Sequence, residues 1–122
     1  MAKNYVQAGE VVDFTNGTGS DIASGDVVPM GSLIGVAITD IPDGATGAVG
    51  VEGVWELPKV ESAVIGAGET VNWDASAGAF DDNQATPATG DRSGGCVAVA
   101  AADNGDTTVL VKLNVGPSTV TG

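Results

Sequence analysis

Acid groups are the most plentiful reactive side chains here: sixteen Asp and Glu in 122 residues. Work as an acid–base pair needs two of them close together, and the sequence offers Asp40 with Asp43, Glu52 with Glu56, and Asp81 with Asp82. On a strand, Glu52 and Glu56 share a face about 13 Å apart, beyond the roughly 5 to 9.5 Å used in glycoside hydrolysis. Histidine is absent altogether, which removes the usual general base, the commonest metal ligand and every Ser–His or Cys–His arrangement. Cys96 is the one cysteine, so no internal disulfide forms, and its setting in Gly95-Cys96-Val97-Ala98-Val99 reads as a small buried hydrophobe in a strand. Asp103-Asn104-Gly105-Asp106 has oxygen donors but neither the spacing nor the twelfth-position Glu of a calcium loop. No Lys follows a Gly, so a phosphate-binding Gly-Lys-Ser/Thr is missing. Asn16-Gly17-Thr18 matches a glycosylation sequon, a chance match on the expectation that no secretory segment precedes it. The expectation is a protein with no catalytic residues, no metal ligands and no cofactor.

What remains is recognition. Trp55 and Trp73 are the candidates, either as bulky fillers with Leu57 in a core or subunit interface, or as an exposed platform for a sugar or a protein. The net charge of −12 comes from those sixteen acids against Lys3, Lys59, Arg92 and Lys112. Such a surface repels phosphate, so neither nucleic acid nor an anionic membrane is an expected partner. No apolar stretch approaches a membrane span or a signal peptide, and synthesis in a cytoplasm is expected.

The elements that must position these residues are strands. Eighteen Val stand against four Leu, and nineteen Gly and five Pro punctuate the chain every few residues. Valine is stiff at χ1 and suits a pleated surface, whereas a helical core of this size is normally Leu-rich. Period-2 alternation places two short strands across 4–14 broken at Gly9, a strand at Val27-Val28 edged by Pro29, and a buried strand over Leu33–Thr39. A long strand is expected over Ala48–Leu57, with Val49, Val51, Trp55 and Leu57 on one face and a bulge at Gly53. Glu69–Asp74 is a further strand, Ala75–Ala79 a turn, and 81–94 a polar loop. Gly95–Ala101 and Thr107–Val115 read as a hairpin around Asn104-Gly105. One domain over 1–116 is expected, with 1–9 an extended N-terminal arm and 117–122 a frayed tail. The two halves echo each other loosely: Gly25-Asp26-Val27-Val28 parallels Gly68-Glu69-Thr70-Val71, and the Gly35–Val51 segment parallels Gly95–Val111, one residue out of step across the turn. Duplication and two hairpins obeying the same turn rules both account for this.

Read in order, Met1–Glu10, Ser24–Val28, Gly31–Ala37, Val51-Glu52-Gly53-Val54-Trp55-Glu56-Leu57-Pro58-Lys59, Gly68–Asp74 and the closing Val109–Leu113 strand resemble the capsid-cement, or head-decoration, proteins of tailed bacteriophages. The resemblance spans nearly the whole chain, and its most specific part is the segment ending Glu56-Leu57-Pro58-Lys59. It implies an all-β single small domain, an antiparallel β-barrel or jelly-roll-like sandwich of short strands. It also implies a structural protein on the outer capsid surface of the virion, a homotrimer whose partner is the major capsid protein. Members are sometimes labelled recombinase-like, which the missing nucleotide loop and the acidic charge contradict. The basic N-terminal segment Ala2, Lys3, Asn4, Tyr5, Val6 and Gln7 is the expected capsid contact. The alternative reading is a carbohydrate- or receptor-binding β-module of a virion.

Overall fold

The computed structural model describes residues 9–122, which form ten strands and, among the described residues, no helix. Strands β1 (Val11–Thr15), β2 (Val27–Met30), β3 (Leu33–Ala37) and β4 (Thr46–Gly50) make the first sheet, in the order β1-β4-β3-β2. The second sheet contains β5 (Val54–Pro58), β6 (Thr70–Asp74), β7 (Ala79–Asp81), β8 (Arg92–Ala98), β9 (Thr108–Lys112) and β10 (Thr119–Val120). Its order is β5-β9-β8-β6-β7, with β10 also on β8. All strand pairs are antiparallel. The expected all-β domain is therefore present as a two-sheet sandwich. Neither sheet closes into a barrel, although one parallel bridge, Lys59 to Phe80, draws the outer strands of the second sheet together.

The echo between the halves is a structural repeat. Val11–Thr15 on Gly50–Thr46 has the same register as Val54–Pro58 on Lys112–Thr108. Val36↔Gly50 and Ala37↔Val49 match Val97↔Lys112 and Ala98↔Val111. The mutual amide–carbonyl bridge of Ile22 and Ile41 recurs between Ile65 and Ala102. So does the entry turn: the Gly25 amide donates to Ala37 O and the Gly68 amide to Ala98 O, and Asp26 and Glu69 each accept the amide three residues back. Each unit is one four-stranded Greek key. The units part at the β2–β3 turn, where Gly31-Ser32 in the first unit is replaced by residues 75–91 and strand β7 in the second.

Three sequence expectations need correction. The long strand over 48–57 is two strands in different sheets: the chain turns at Glu52-Gly53, with Gly53 at φ +101°, so this glycine makes a crossover rather than a bulge. Asn104-Gly105 does form a tight turn with Gly105 at φ +99°, but it does not close a short hairpin. Ala102 is pulled away to bridge Ile65, and β8 meets β9 only near Val97–Ala98. The tail is not frayed: β10 pairs with β8 through Thr119↔Ser93 and Val120↔Arg92, and Ser118 is buried with its hydroxyl donating 2.9 Å to Ser32 O. The tail thus ties the second sheet to the β2–β3 turn of the first. The first of the two strands expected over 4–14 lies outside the described residues, as does most of the N-terminal arm.

The sheets stack back to front. Val27, Ile34, Val36 and Gly50 on the back of the first sheet meet the front of the second, where Leu57, Val71, Trp73, Phe80, Cys96, Ala98, Val109 and Val111 form the main core. The ring of Trp55 lies against Gly50, where an added Cβ would come within 2.8 Å of Trp55 Cζ2. Val28, Ala37, Ile41, Val49 and Val51 form a smaller core on the front of the first sheet, flanked by half-buried Val12, Phe14, Ile22 and Met30. Asn114, at φ +51° and one of the residue types that tolerates the left-handed region, clamps the units together. Its amide donates to Ile34 O (2.8 Å) and Val51 O (2.7 Å), and its Oδ1 accepts from Ile34 N at 3.0 Å.

Each unit also buries a polar plug at the end of its first strand. Asn16 donates to Ser20 O and Ile41 O and accepts from Thr18. Its counterpart Lys59, 4 % exposed, points its ammonium at three carbonyls: Val60 O at 2.7 Å, Glu61 O at 3.1 Å and Ala63 O at 2.5 Å. All three ammonium hydrogens are thus used, as a buried charge requires.

Three outcomes follow from this packing. Gly35→Ala places a Cβ 2.2 Å from Val49 Cγ1 and lowers unfolding free energy by about 1–3 kcal/mol in urea titrations; Gly17→Ala, with nothing within 4 Å, does not. Lys59→Met leaves three inward carbonyls unpaired and costs about 1–3 kcal/mol, whereas Lys112→Met on an exposed strand position shifts stability by under about 0.5 kcal/mol. Burial pushes the Cys96 thiol above its ordinary range, against a smaller opposing backbone bond from Asn114. Ellman's reagent accordingly labels Cys96 at the rate of global unfolding and not by direct attack on the folded protein.

Candidate functional site

The carboxylates lie mostly in turns, and there they accept backbone amides. Asp26 takes Ala23 N, Asp40 takes Ser24 N and Asp21 takes Asp43 N, each at 2.9 Å. Glu69 takes Gly66 N, and Asp106 takes Asp103 N. In the inserted segment, Asp82 takes Gln84 N and buried Asp91 holds Ala75 N and Ala88 N together. Asp74 accepts from the Ser76 hydroxyl and from the amides of Ser76 and Ala77. The Ser76 hydroxyl, then the Ala77 amide, holds the Asp74 carboxyl below its ordinary value of 3.8. This turn's contribution is therefore complete above that pH and is lost as the pH falls below it.

Of the paired acids singled out in the sequence, Asp40, Glu56, Asp81 and Asp82 hold local hydrogen bonds. Asp40 accepts the amide of Ser24, the amide of Asp43 donates to Asp21, Asp81 accepts the amide of Asp82, and Glu56 accepts the Thr108 hydroxyl at 3.2 Å. Glu52 sits in the crossover turn, off the strand that carries Glu56. Among the described residues no group of three or more His, Cys, Asp or Glu is placed to hold a metal ion. No helix of the described residues is long and apolar enough to cross a membrane.

Of the aromatic candidates, Trp73 is 7 % exposed and meets Phe80 edge to face with ring centroids 5.1 Å apart. Leu57 is buried beneath it in the same core. Trp55 is half-buried, its indole N–H donating 2.9 Å to Glu52 O across the crossover turn. The two indoles do not share an open face. Ala2, Lys3, Asn4, Tyr5, Val6 and Gln7 lie outside the described residues.

Part of the exposed sheet surface is apolar. On the back of the second sheet, Val54 and Leu110 are 55 % and 40 % exposed, Val99 just beyond β8 is 44 % exposed, and Lys112 stands among them. Sequence reasoning missed Lys59 and Asn114. Lys59 was legible from alternation, since it follows inward-facing Trp55 and Leu57 at period 2. Asn114 carries no local signal, because its partners lie 80 and 63 residues away.

Among the described residues, many of the acids accept backbone amides in turns, the Cys96 thiol is buried and the Lys59 ammonium is held by three carbonyls. The family model for phage cement protein matches residues 6–113. No curated protein matches the chain closely enough to count as a relative. The match takes in all of both Greek-key units and the segment inserted between β6 and β8, and the chain belongs to the phage cement protein family.

Proposed function

We propose that this protein binds the outer surface of the expanded phage head, as a homotrimer, and stabilises the lattice of the major capsid protein. The observation that carries this reading is the family match over 6–113, which brings a structural, capsid-associated role. The acidic surface supports it further. A net charge of −12 disfavours association with packaged nucleic acid or with membrane phosphates, and leaves protein as the natural partner.

Stabilisation works through linkage. A ligand that binds the expanded lattice and not its disrupted form shifts the equilibrium toward the intact shell by mass action. Several weak contacts from one symmetric oligomer combine through effective concentration, so no single contact need be strong. The segment Ala2–Gln7, with Lys3 and Tyr5, is the proposed capsid contact, adding to an exposed sheet edge on the shell. Synthesis takes place in the host cytoplasm, before the protein joins the virion. The carbohydrate- or receptor-binding alternative asks for both tryptophans on one open face, and Trp73 is buried.

Co-sedimentation of the purified chain with expanded, undecorated heads tests the proposal. Saturable binding is expected, with a raised temperature of head disruption and little binding to unexpanded shells. Removal of residues 2–7 is expected to weaken binding at least about tenfold, which corresponds to about 1.4 kcal/mol. Undiminished binding by that deletion removes the N-terminal contact, and no binding by the intact chain removes the proposal.

A further inference from the structure

The two Greek-key units are alike in register but unlike in what covers them. In the second unit, Leu57, Ile65 and Trp73 on the front are 2 %, 1 % and 7 % exposed, because the back of the first sheet and Phe80 lie over them. Their counterparts in the first unit, Phe14, Ile22 and Met30, are only half-buried, and Leu33 at the rim of that front is 43 % exposed. Among the described residues, the first unit has no counterpart of β7 and no sheet in front of it. Conversely, Ile34 and Val36 on the back of the first sheet are buried, with Val11 and Ile38 at its margin 38 % and 41 % exposed, while the equivalent back of the second sheet leaves Val97 half-buried and Val54, Val99 and Leu110 55 %, 44 % and 40 % exposed beside Glu56. A back-to-front contact is thus made once inside the chain, and among the described residues the front of the first sheet, with half-buried Phe14, Ile22 and Met30 around its small core, and the back of the second sheet are left without a sheet over them.

We infer that copies of this protein associate head to tail, the back of the second sheet of one copy covering the front of the first sheet of the next. The occupant is a second copy because the chain already shows these two faces, in its own repeated units, packing on each other. The changes between units are complementary. In the internal contact the bulk is on the front, Trp55, and the gap is on the back, Gly50. At the open faces the equivalent front residue is the smaller Val12 and the equivalent back residue is the longer Lys112. The apolar stem of Lys112 fills the space that Trp55 fills inside the chain while its ammonium reaches the rim. Lys112, and Thr70 in place of Val27, make this contact more polar than the internal one, as suits surfaces that are also exposed to water. A contact between unlike faces closes into a ring or runs on as a filament, according to its rotation.

This inference gives the self-association in the proposed function a location, and it stands or falls separately from the capsid contact. Sedimentation equilibrium of the full-length protein, at several concentrations and in 0.05 and about 0.5 M NaCl, provides the test. Reversible association is expected, stronger at high salt because like charge is screened over about a Debye length. Leu110→Glu is expected to weaken it at least about tenfold with an unchanged circular-dichroism spectrum. Mixing Val12→Cys with Lys112→Cys is expected to give a disulfide-linked dimer that neither variant forms alone. A monomer throughout, association that survives Leu110→Glu, or absence of the mixed disulfide overturns the inference. Head binding that is lost on Val12→Asp while the protein stays monomeric would assign the open front to the capsid and overturns it equally.

Discussion

An isolated antiparallel sheet with one apolar face can solvate only the other, so a chain built from a four-stranded and a six-stranded sheet depends on how the spare faces meet. Here the back of the first lies on the front of the second. Val27, Ile34 and Val36 enter the main core, and Trp55 fits because residue 50 has no side chain. Asn114 fastens the same joint from the polar side by satisfying Ile34 and Val51 across the boundary. The tail adds a third tie at Ser32 through Ser118. Apolar area supplies the drive, about 25 cal/mol per Å² removed from water, and the directed hydrogen bonds set one relative placement out of the many that a greasy face alone would accept.

The acids have a different task from the one their number first suggests. Many turns in this fold would leave an amide facing nothing, and Asp21, Asp26, Asp40, Glu69, Asp74, Asp82, Asp91 and Asp106 each take one or more. A carboxylate accepting an amide is a stronger bond than its neutral equivalent, and the residual charge keeps the surface soluble. The same groups therefore serve local order and a repulsive exterior, and the role of a capsid-associated structural protein needs nothing catalytic from them.

Strand character was legible because it is local: valine content, period-2 alternation and glycine spacing all report it within a few residues. The repeat was legible too, including the one-residue slip, because Gly25-Asp26 and Gly68-Glu69 make the same turn. The path of the chain between sheets was not. Ala48–Leu57 alternates without interruption, so nothing short of Gly53's positive φ reveals that it serves two sheets. Asn104-Gly105 signals a turn correctly, yet the pull of Ala102 toward Ile65 decides how wide the excursion is. The tail was read as free because Gly116-Pro117 ends a pattern, whereas Gly95, at φ +79° and with Ser118 N 2.8 Å from where a Cβ would stand, leaves room for it to dock.

The plug at Lys59 bears on where such a particle can survive. Three converging carbonyls are the sort of nest that proteins often satisfy with a borrowed ion such as calcium, held at oxygen ligands and lost when its concentration drops. Here the positive charge is covalently part of the chain. It cannot be diluted away in rain water or stripped by a chelator, so this corner of the coat keeps its shape in surroundings that would leach an ion-dependent one.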